Sequence, residues 1–358
     1  MNKVIFGGAF DPIHLGHINM AEEASKKLDA DVIFVPAPIS VWKEESAPKE
    51  DKVKMVELSI QDYPRFSLDR YEIDSGKDTN YSIETAKYFV NKYPEDKFYY
   101  LIGADHVNAF HKWKEAKQLS EIVQIIFFKR PGIEINKNNI KEFNMLEIEG
   151  TLMDVSSTDI RQLKDLKVDE SVMKYIEDNN LYYMKQISSY ISGNRLIHSR
   201  SVANLSYQIA KANCLDDPEK YYIAGILHDI GKSYKDTKQF MKEYFPQYLD
   251  LDAPIYHQFV GAYIAEKDFG IKDEEILSAI RFHTTGSENM SMLAKVIYAA
   301  DKIEPTRDFD SSELIDAMIE DSEQGFITVL KANIEFLESK VKPYKNSLTS
   351  KCVNTYLK

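Results

Sequence analysis

Five apolar, β-rich runs, separated by stretches with helical periodicity, constrain the fold of this chain more than any other feature. The runs lie within the first 128 of its 358 residues: Lys3–Phe6, Val32–Pro36, Phe66–Asp69, Phe98–Ile102 and Val123–Phe128. Strands that alternate with helices are joined by crossover connections and pair in parallel. The sequence therefore predicts a parallel α/β sheet, with ligands binding outside the carboxyl ends of its strands.

The pattern changes in the middle of the chain. After Arg161 the β-rich runs nearly vanish, and Met184–Gly193 predicts a junction between domains. From Arg195 onward, apolar residues recur at helical spacing. Breaks in that spacing occur at residues 216–218, 245–246, 269–270 and 304–305. The sequence thus predicts two domains, 1–185 and 190–358, of which the second is all helical.

Composition argues against several classes of function. The net charge of -12 argues against nucleic acid as a partner, since proteins that grip a phosphate backbone carry a basic excess. The two cysteines, Cys214 and Cys352, have no metal-like spacing, so we expect no disulfide framework and a reducing compartment. The chain lacks a signal-peptide start and an apolar stretch of about 20 residues. We therefore expect a cytoplasmic protein that does not bind membranes.

The first β-rich run leads directly into residues 7–17, Gly-Gly-Ala-Phe-Asp-Pro-Ile-His-Leu-Gly-His. Gly7 and Gly8 let the backbone approach a bulky anion closely, and a helix beginning near His17 would present its N–H groups to that anion. His14 and His17 share one face of an opening helical turn. Two imidazoles there can neutralise charge that grows during phosphoryl chemistry. The junction predicts a site for a nucleotide's phosphates, and a surface or cap role for each histidine is the alternative.

A second string, Ser-Ser-Thr-Asp-Ile-Arg at residues 156–161, follows the predicted strands. Its serines and threonine can cap a helix or donate to phosphate, and Arg161 can hold phosphate oxygens in a bidentate fork. Together with residues 7–17, this string resembles the nucleotidyltransferase superfamily, whose members bind ATP in a Rossmann-like domain. The resemblance implies the following ATP-binding residues: Gly7, Gly8, Phe10, His14, His17, Ser156, Ser157, Thr158 and Arg161.

Further segments resemble bacterial nicotinate-nucleotide adenylyltransferases over about residues 1–185. They are Asn80–Thr85, Gly103–Asp105, Phe110–Lys114 and the strand-end loop from Val35 to Lys43. The resemblance implies transfer of the adenylyl group of ATP to nicotinate mononucleotide, with no covalent nucleophile. Catalysis would come from alignment and charge stabilisation, with Mg²⁺ carried by ATP. The catalytic residues implied are His14, His17, Lys43 and Arg161.

Three residues are implied to bind the pyridine nucleotide. Trp113 offers a flat face on which a pyridine ring can stack, and its alternative is a core or lid tryptophan. Thr85 is placed near the pyridine pocket, with helix packing as the alternative. Asp105 is placed in the crevice between the two substrates, with a helix N-cap as the alternative.

The helical half carries its own ordered set of polar residues: His198, His228, Asp229, His257, His283 and Asp301. Mixed nitrogen and oxygen donors suit iron, manganese or a similar divalent ion better than a cysteine-rich zinc site. The adjacent His228-Asp229 within this set resembles the HD phosphohydrolase superfamily, and a surface pair is its alternative. The resemblance implies that the metal ligands are His198, His228, Asp229 and Asp301.

The roles of other residues in this half stay open. His257 and His283 hold either a second ion or the phosphate itself. Residues 281–286 and 298–307 resemble those of bacterial HD-type diadenosine tetraphosphatases, a likeness that covers about residues 190–345. That branch splits its substrate symmetrically into two ADP, which implies catalytic roles for Asp229 and Lys232 and a phosphate contact for Arg307. For Lys232 a solvated side chain, and for Arg307 a surface ion pair, is the alternative.

Two other hypotheses for function are compatible with the same motifs. In the first, both folds are kept but the acceptor is nicotinamide mononucleotide, and the helical half cleaves another nucleotide polyphosphate. In the second, the helical half only senses a nucleotide. The oligomeric state does not follow from these residues.

Overall fold

The computed structural model describes residues 1–38, 47–77, 79–129, 134–150, 152–339 and 346–358. Lys43, one of the predicted catalytic residues, lies outside these ranges. The chain divides into two compact units, Met1–Tyr182 and Tyr183–Lys358. None of the helices in the described ranges combines the length and the apolar character that crossing a bilayer requires.

A six-stranded parallel sheet forms the centre of the first unit. Its strands are β1 (Asn2–Gly8), β2 (Ala30–Pro36), β3 (Phe66–Leu68), β4 (Lys97–Ile102), β5 (Gln124–Phe128) and β6 (Leu146–Ile148). They lie in the order β3-β2-β1-β4-β5-β6. The buried Val4 of β1 lies opposite Val32 on one side and Tyr99 on the other, so β1 is a central strand. The predicted parallel α/β sheet is confirmed.

Strand β6 was not predicted. Its three residues include a single buried side chain, that of Ile148, so the strand carries almost no alternating pattern. Its place in the sheet comes from pairing with β5, where Ile148 lies opposite Phe128. Tertiary pairing, rather than local sequence, makes this segment a strand.

Helices cover the sheet of the first unit. In chain order they are α1 (Leu15–Leu28), α2 (Lys49–Ile60), α3 (Tyr71–Asp74), α4 (Ser82–Lys92), α5 (Ala104–Ala109), α6 (Ala116–Ile122), α7 (Lys137–Glu142), α8 (Ser157–Arg161) and α9 (Glu170–Asp178), with a 3-10 turn at Phe110–Lys112. On one face of the sheet, Ile5 and Ile125 pack in a single core with Phe89 of α4 and Leu119 of α6. Burying each such side chain contributes about 1.5–3 kcal/mol, which holds the strand ends in fixed positions.

The second unit is helical throughout the residues that the structure describes, as predicted. Its helices are α10 (Tyr183–Tyr190), α11 (Asn194–Ala212), α12 (Pro218–Leu227), α13 (Thr237–Tyr244), α14 (His257–Lys267), α15 (Glu274–Phe282), α16 (Met292–Ile303), α17 (Ser312–Glu320), α18 (Ser322–Ser339) and α19 (Ser347–Tyr356). Short 3-10 turns lie at Ile230–Ser233, Pro246–Tyr248 and Ala253–Ile255. Each of the four predicted breaks falls at a boundary between two of these elements, and Pro218 and Pro246 are the first residues of the elements that follow.

The predicted junction at Met184–Gly193 is instead largely occupied by α10, and the division between the units falls before it. Met184, Ile187 and Ile191 are buried, and their spacing of three and four residues puts them on one helical face. This segment resembled a linker because α10 is only eight residues long and buries few of its side chains.

Helices α11 and α12 approach each other closely at Gly225. A Cβ atom built on Gly225 would lie 2.6 Å from the Cα of Ala203 and 2.9 Å from its N. Real Cβ atoms do not approach backbone this closely, so only glycine fits here. The contact fixes the end of α12, from which the His228-Asp229 pair emerges.

We expect Gly225→Ala to lower the free energy of unfolding of the second unit by about 1–3 kcal/mol, because the added methyl group must push two helix backbones apart. Urea denaturation followed by circular dichroism measures the change. Gly261→Ala is the matched control, since a Cβ there would meet its nearest atom at 3.3 Å. A Gly225→Ala variant as stable as Gly261→Ala would show that this approach does not constrain the fold.

Candidate active sites

A cavity of about 600 Å³ lies at the carboxyl ends of β1 and β4 in the first unit. Parallel α/β sheets bind their ligands at this edge. Residues 6–10 and 152–158 both contribute to its wall. It brings together the following predicted site residues: Gly7, Gly8, Phe10, His14, His17, Asp105, Trp113, Ser156, Ser157 and Thr158.

The two histidines of the first string cap helix α1. His14 has an extended backbone, and its Nδ1 accepts a hydrogen bond from the backbone N–H of His17 at 3.3 Å. The Nδ1 of His17 accepts from the backbone N–H of His14 at the same distance, which completes a capping box. The helix therefore begins at Leu15 rather than near His17. The two rings stack with centroids 3.6 Å apart, so the predicted shared face is present.

The capping box also sets the tautomers of these rings. Because each Nδ1 accepts a hydrogen bond, each neutral ring carries its proton on Nε2. Burial, and secondarily the neighbouring His14, hold the pKa of His17 well below its usual range. His17 is thus neutral at pH 7, with an Nε2–H that can donate a hydrogen bond, and its predicted contact with phosphate remains a prediction.

Arg161 joins the two sequence strings. Its Nη1 donates to the backbone O of Asp11 at 2.6 Å, and its Nη2 donates to the Oγ1 of Thr158 at 3.0 Å. The residue is 7% exposed. The guanidinium of Arg161 thus connects the chain at Asp11 with helix α8 at Thr158. Its predicted contact with phosphate remains a prediction. The Oγ of Ser157 also connects these segments by donating to the backbone O of Pro12 at 2.9 Å.

Ser156 is the N-cap of α8, as the alternative interpretation expected. Its Oγ accepts from the backbone N–H of Asp159 at 3.1 Å and donates to the Oδ2 of the same residue at 2.6 Å. Ser156 also lines the cavity, together with Ser157 and Thr158. Capping and a position in the cavity wall are therefore combined in one residue.

The other end of the cavity is aromatic. Trp113 is partly buried, with its ring centroid 5.0 Å from that of Phe110 and 6.4 Å from that of Tyr100. Asp105 lies in the first turn of α5 with its side chain 71% exposed. The N-cap of α5 is Gly103, so Asp105 does not have the capping role that was its alternative.

Thr85 is fully buried, and its hydroxyl group forms a hydrogen bond with Glu72. Its Oγ1 donates to Oε1 of Glu72 at 2.6 Å, and Glu72 lines the cavity next to Asn80 and Ser82. Burial raises the pKa of Glu72, and the hydrogen bond from Thr85 partly offsets that rise. The sequence did not single out Glu72, because a glutamate in a short helix after a strand carries no motif.

Tyr100 is a second cavity residue that the sequence missed. It belongs to the buried strand β4, and its ring faces Gly7 across the cavity floor. A Cβ atom built on Gly7 would lie 2.9 Å from the Tyr100 hydroxyl oxygen. Glycine at position 7 therefore makes room for this hydroxyl, in addition to letting a ligand approach the backbone.

Four imidazoles converge inside the second unit. Their Nε2 atoms lie close together in pairs: His198 and His228 at 3.2 Å, and His257 and His283 at 3.2 Å. The Nδ1 atoms point outward, to within 2.9 Å of Glu304 Oε1, 2.7 Å of Gly225 O, 2.7 Å of Pro254 O and 2.8 Å of Ile280 O, respectively. Such outward bonds orient histidines that bind metals through Nε2.

Asp229 lies between the two pairs of imidazoles. Its Oδ1 is 3.4 Å from the Nε2 atoms of both His257 and His283. Its Oδ2 is 3.5 Å from Nε2 of His228 and 3.8 Å from that of His198. Asp301 joins the second group, with Oδ1 3.1 Å from Nε2 of His198. All six predicted residues are thus brought together as two donor sets that share one carboxylate.

The chemistry of these donors fits divalent ions. Asp229 is fully buried, and neither of its oxygens receives a hydrogen bond of normal geometry, although Lys232 Nζ lies 2.6 Å from Oδ2. Burying a carboxylate this deeply is costly unless cations compensate it. Burial lowers the pKa of His283 to about 4, which keeps its ring in the neutral, ligating form. Imidazole and carboxylate donors without cysteine suit iron or manganese.

Three cationic side chains surround the donors. Lys232 pairs with Asp229. Lys302 Nζ donates to Oδ2 of Asp301 and to the backbone O of His283, both at 2.8 Å. Arg307 Nη2 lies 2.9 Å from Oδ1 of Asp301. The ion pair that was the alternative for Arg307 is therefore present, and the predicted phosphate contacts of Lys232 and Arg307 remain predictions.

Each of the two units matches a known protein family. The cytidylyltransferase-like family model matches residues 5–163, and the HD domain model matches residues 195–306. A Mycoplasma genitalium protein named probable nicotinate-nucleotide adenylyltransferase/Ap4A hydrolase is 30% identical over 314 residues, which cover 85% of this chain and 87% of the relative.

Two further relatives each match one unit. A Clostridium botulinum protein named probable nicotinate-nucleotide adenylyltransferase is 35% identical over 200 residues, covering 51% of this chain and 99% of its own. A crystal structure of a predicted HD superfamily hydrolase involved in NAD metabolism, from Clostridium acetobutylicum, is 30% identical with a TM-score of 0.43, covering 48% of this chain and 94% of its own. From the match along nearly the whole Mycoplasma protein, this chain belongs to the family in which a nicotinate-nucleotide adenylyltransferase domain of the cytidylyltransferase-like type is joined to an HD domain.

Proposed function

We propose that the first unit transfers the adenylyl group of ATP to nicotinate mononucleotide, giving deamido-NAD and pyrophosphate. The observation that carries this proposal is the cavity in which the stacked pair His14 and His17 faces residues 156–158. A phosphate oxygen of the mononucleotide attacks the α-phosphorus of ATP, and pyrophosphate leaves. The Mg²⁺ that ATP carries belongs to the substrate.

The residues of the first unit act by position and by hydrogen bonding. Gly7 and Gly8 let the phosphates approach the end of β1. The Nε2–H of His17 donates to an oxygen on which negative charge grows, in a site whose geometry the capping box has already fixed. Arg161 holds the two walls in register through Asp11 and Thr158, which aligns the reacting groups.

The acceptor end of the cavity contains the start of helix α4, which attracts an anionic group on the pyridine ring. The carboxyl groups of Glu72, in the cavity wall, and of Glu84, in the first turn of α4, oppose that attraction. Helix α4 begins there with Ser82, and its N-cap Tyr81 supplies no side-chain hydrogen bond to the first turn. The N–H groups and positive dipole of a helix start attract an anion. Trp113 supplies the aromatic surface for the ring. Relatives named nicotinate-nucleotide adenylyltransferases, among them the Clostridium botulinum protein, support the same acceptor.

For the second unit, we infer hydrolysis of diadenosine tetraphosphate to two ADP. This rests on the two donor sets around Asp229 and on the name Ap4A hydrolase that the Mycoplasma genitalium relative carries. His198, His228 and Asp301 would hold one divalent ion, His257 and His283 a second, and Asp229 both. When bound, such ions lower the pKa of a water molecule and neutralise the phosphates. Of the two roles open for His257 and His283, the position of Asp229 Oδ1 between them favours metal binding.

His17→Ala should reduce pyrophosphate release from ATP and nicotinate mononucleotide on the order of 100-fold or more, because one preorganised donor to the phosphates is lost. A coupled pyrophosphate assay measures the rate. His111→Ala is the control, since His111 is exposed and contacts Asn139 instead. Near-normal turnover in His17→Ala, with the sheet intact by circular dichroism, would refute the assignment.

Nicotinate mononucleotide should be used at least about tenfold better than nicotinamide mononucleotide, measured as kcat/KM in a competition assay. The carboxamide cannot reproduce the attraction between a carboxylate and the start of α4. Equal use of the two acceptors, or preference for the carboxamide, would overturn the proposed acceptor but leave adenylyl transfer standing.

Asp229→Ala should abolish metal-dependent formation of ADP from diadenosine tetraphosphate, because both donor sets lose their common carboxylate. Chromatography of the products measures this, with Asp316→Ala, an exposed position on α17, as the control. AMP plus ATP as the products would exclude symmetric cleavage. Intact dinucleotide that stays bound to the metal-loaded protein would indicate a sensor instead of a hydrolase.

A further inference from the structure

One of the four imidazoles in the second unit differs from the other three in the group that its Nδ1 atom contacts. Within residues 152–339, His198 alone of the four directs its Nδ1 to a carboxylate, Oε1 of Glu304 at 2.9 Å. The Nδ1 atoms of the other three face backbone carbonyl oxygens. A carboxylate behind a ligating histidine makes the imidazole a stronger donor than a carbonyl does.

Glu304 is held in one position by hydrogen bonds. It is 1% exposed, and it accepts hydrogen bonds from the backbone N–H of Thr306 at 2.7 Å and from the Thr306 hydroxyl at 2.8 Å. Its carboxyl group therefore lies fixed behind His198.

The two donor sets also differ in their own charge. The set of His198 and His228 includes Asp301 and shares Asp229, whereas the set of His257 and His283 has only the shared carboxylate.

Lys302 and Arg307 both contact Asp301 and weaken its attraction for a cation. Arg307 Nε also lies 3.6 Å from Oε1 of Glu304, and Lys232 Nζ lies 2.6 Å from Oδ2 of Asp229. The first position therefore differs from the second by its additional carboxylate ligand and by the carboxyl group behind His198, rather than by a large excess of negative charge.

We propose that Glu304 is a positioning residue that makes the two ion positions unequal: the ion at His198, His228 and Asp301 is held tightly, and the ion at His257 and His283 exchanges readily. This inference rests on the metal binding proposed for the second unit. An exchangeable second position would let the phosphate of an arriving substrate meet an ion whose other contacts are few.

The test measures Mn²⁺ binding to the full chain without substrate. Metal-free protein is titrated with Mn²⁺, free Mn²⁺ is followed by its electron paramagnetic resonance signal, and retained metal is counted after graded chelation. We expect two ions of unequal affinity in the unaltered chain. Glu304→Gln keeps the size and a hydrogen-bond acceptor but removes the charge, so the tight affinity should fall about 10- to 100-fold while the weak one stays.

Two further variants guard against a general effect of mutation. Glu323→Gln removes a carboxylate that pairs with Lys295 in the same unit, and it should leave both affinities unchanged. His257→Ala should lose the weak ion and keep the tight one, which tests the order of affinities even if Glu304→Gln does not fold. Circular dichroism of the metal-free forms reports folding.

A tight affinity that stays within about threefold in folded Glu304→Gln would overturn the proposal, as would loss of the tight ion in His257→Ala. Both outcomes leave the hydrolase assignment standing. Two unequal ions with no cleavage of diadenosine tetraphosphate would instead sink the hydrolase and support the role of Glu304. If the unaltered chain binds no ion, both ideas are wrong.

Discussion

The buried carboxylate of Asp229 is the group on which the arrangement of the second unit depends. A negative charge with no exposure to water is tolerated only where positive or polarisable groups surround it, and here two pairs of imidazoles and Lys232 do so. Helices α11 and α14 and the ends of α12 and α15 must all deliver a side chain to one point for this to hold. The close approach at Gly225 is one condition for that convergence.

The site of the first unit differs from that of the second in the groups that could interact with phosphate. Within the described residues, the cavity that we propose for nucleotide phosphates is lined by the end of β1, the start of α1 and the stacked His14–His17 pair, in which His17 is neutral. The parallel sheet contributes rigidity, because β1 pairs with β2 along its whole length and with β4 over Asn2–Ile5. In one chain, nucleotide phosphates are therefore expected to meet oriented dipoles in one unit and donors for divalent ions in the other.

Much of this could be predicted from the sequence, and the reasons for the remainder are physical. The five predicted strands and the residues at the ends of β1 and α12 carry patterns that act locally, such as apolar runs, glycines before a helix and His-Asp in a single turn. Strand β6 and helix α10 are short, and their conformations depend on neighbours distant in sequence. Glu72 and Tyr100 belong to no motif, so only three-dimensional proximity reveals them. Glu304 lies within the motif at residues 298–307, but its contact with His198 is visible only in the structure.

Asp11 connects parts of the first unit that are far apart in the sequence. Its carboxylate accepts from the backbone N–H of Ala47 and the hydroxyl of Tyr182, and its carbonyl accepts from Arg161, partners that lie 36, 171 and 150 residues away in sequence. During synthesis, these hydrogen bonds to Asp11 cannot all form until residues near the middle of the chain have been made. Long-range closure of this kind slows folding. A nascent chain that ends before Tyr182 lacks the hydroxyl from which Asp11 accepts, so the hydrogen bonds of Asp11 are complete only once the whole of the first unit has been made.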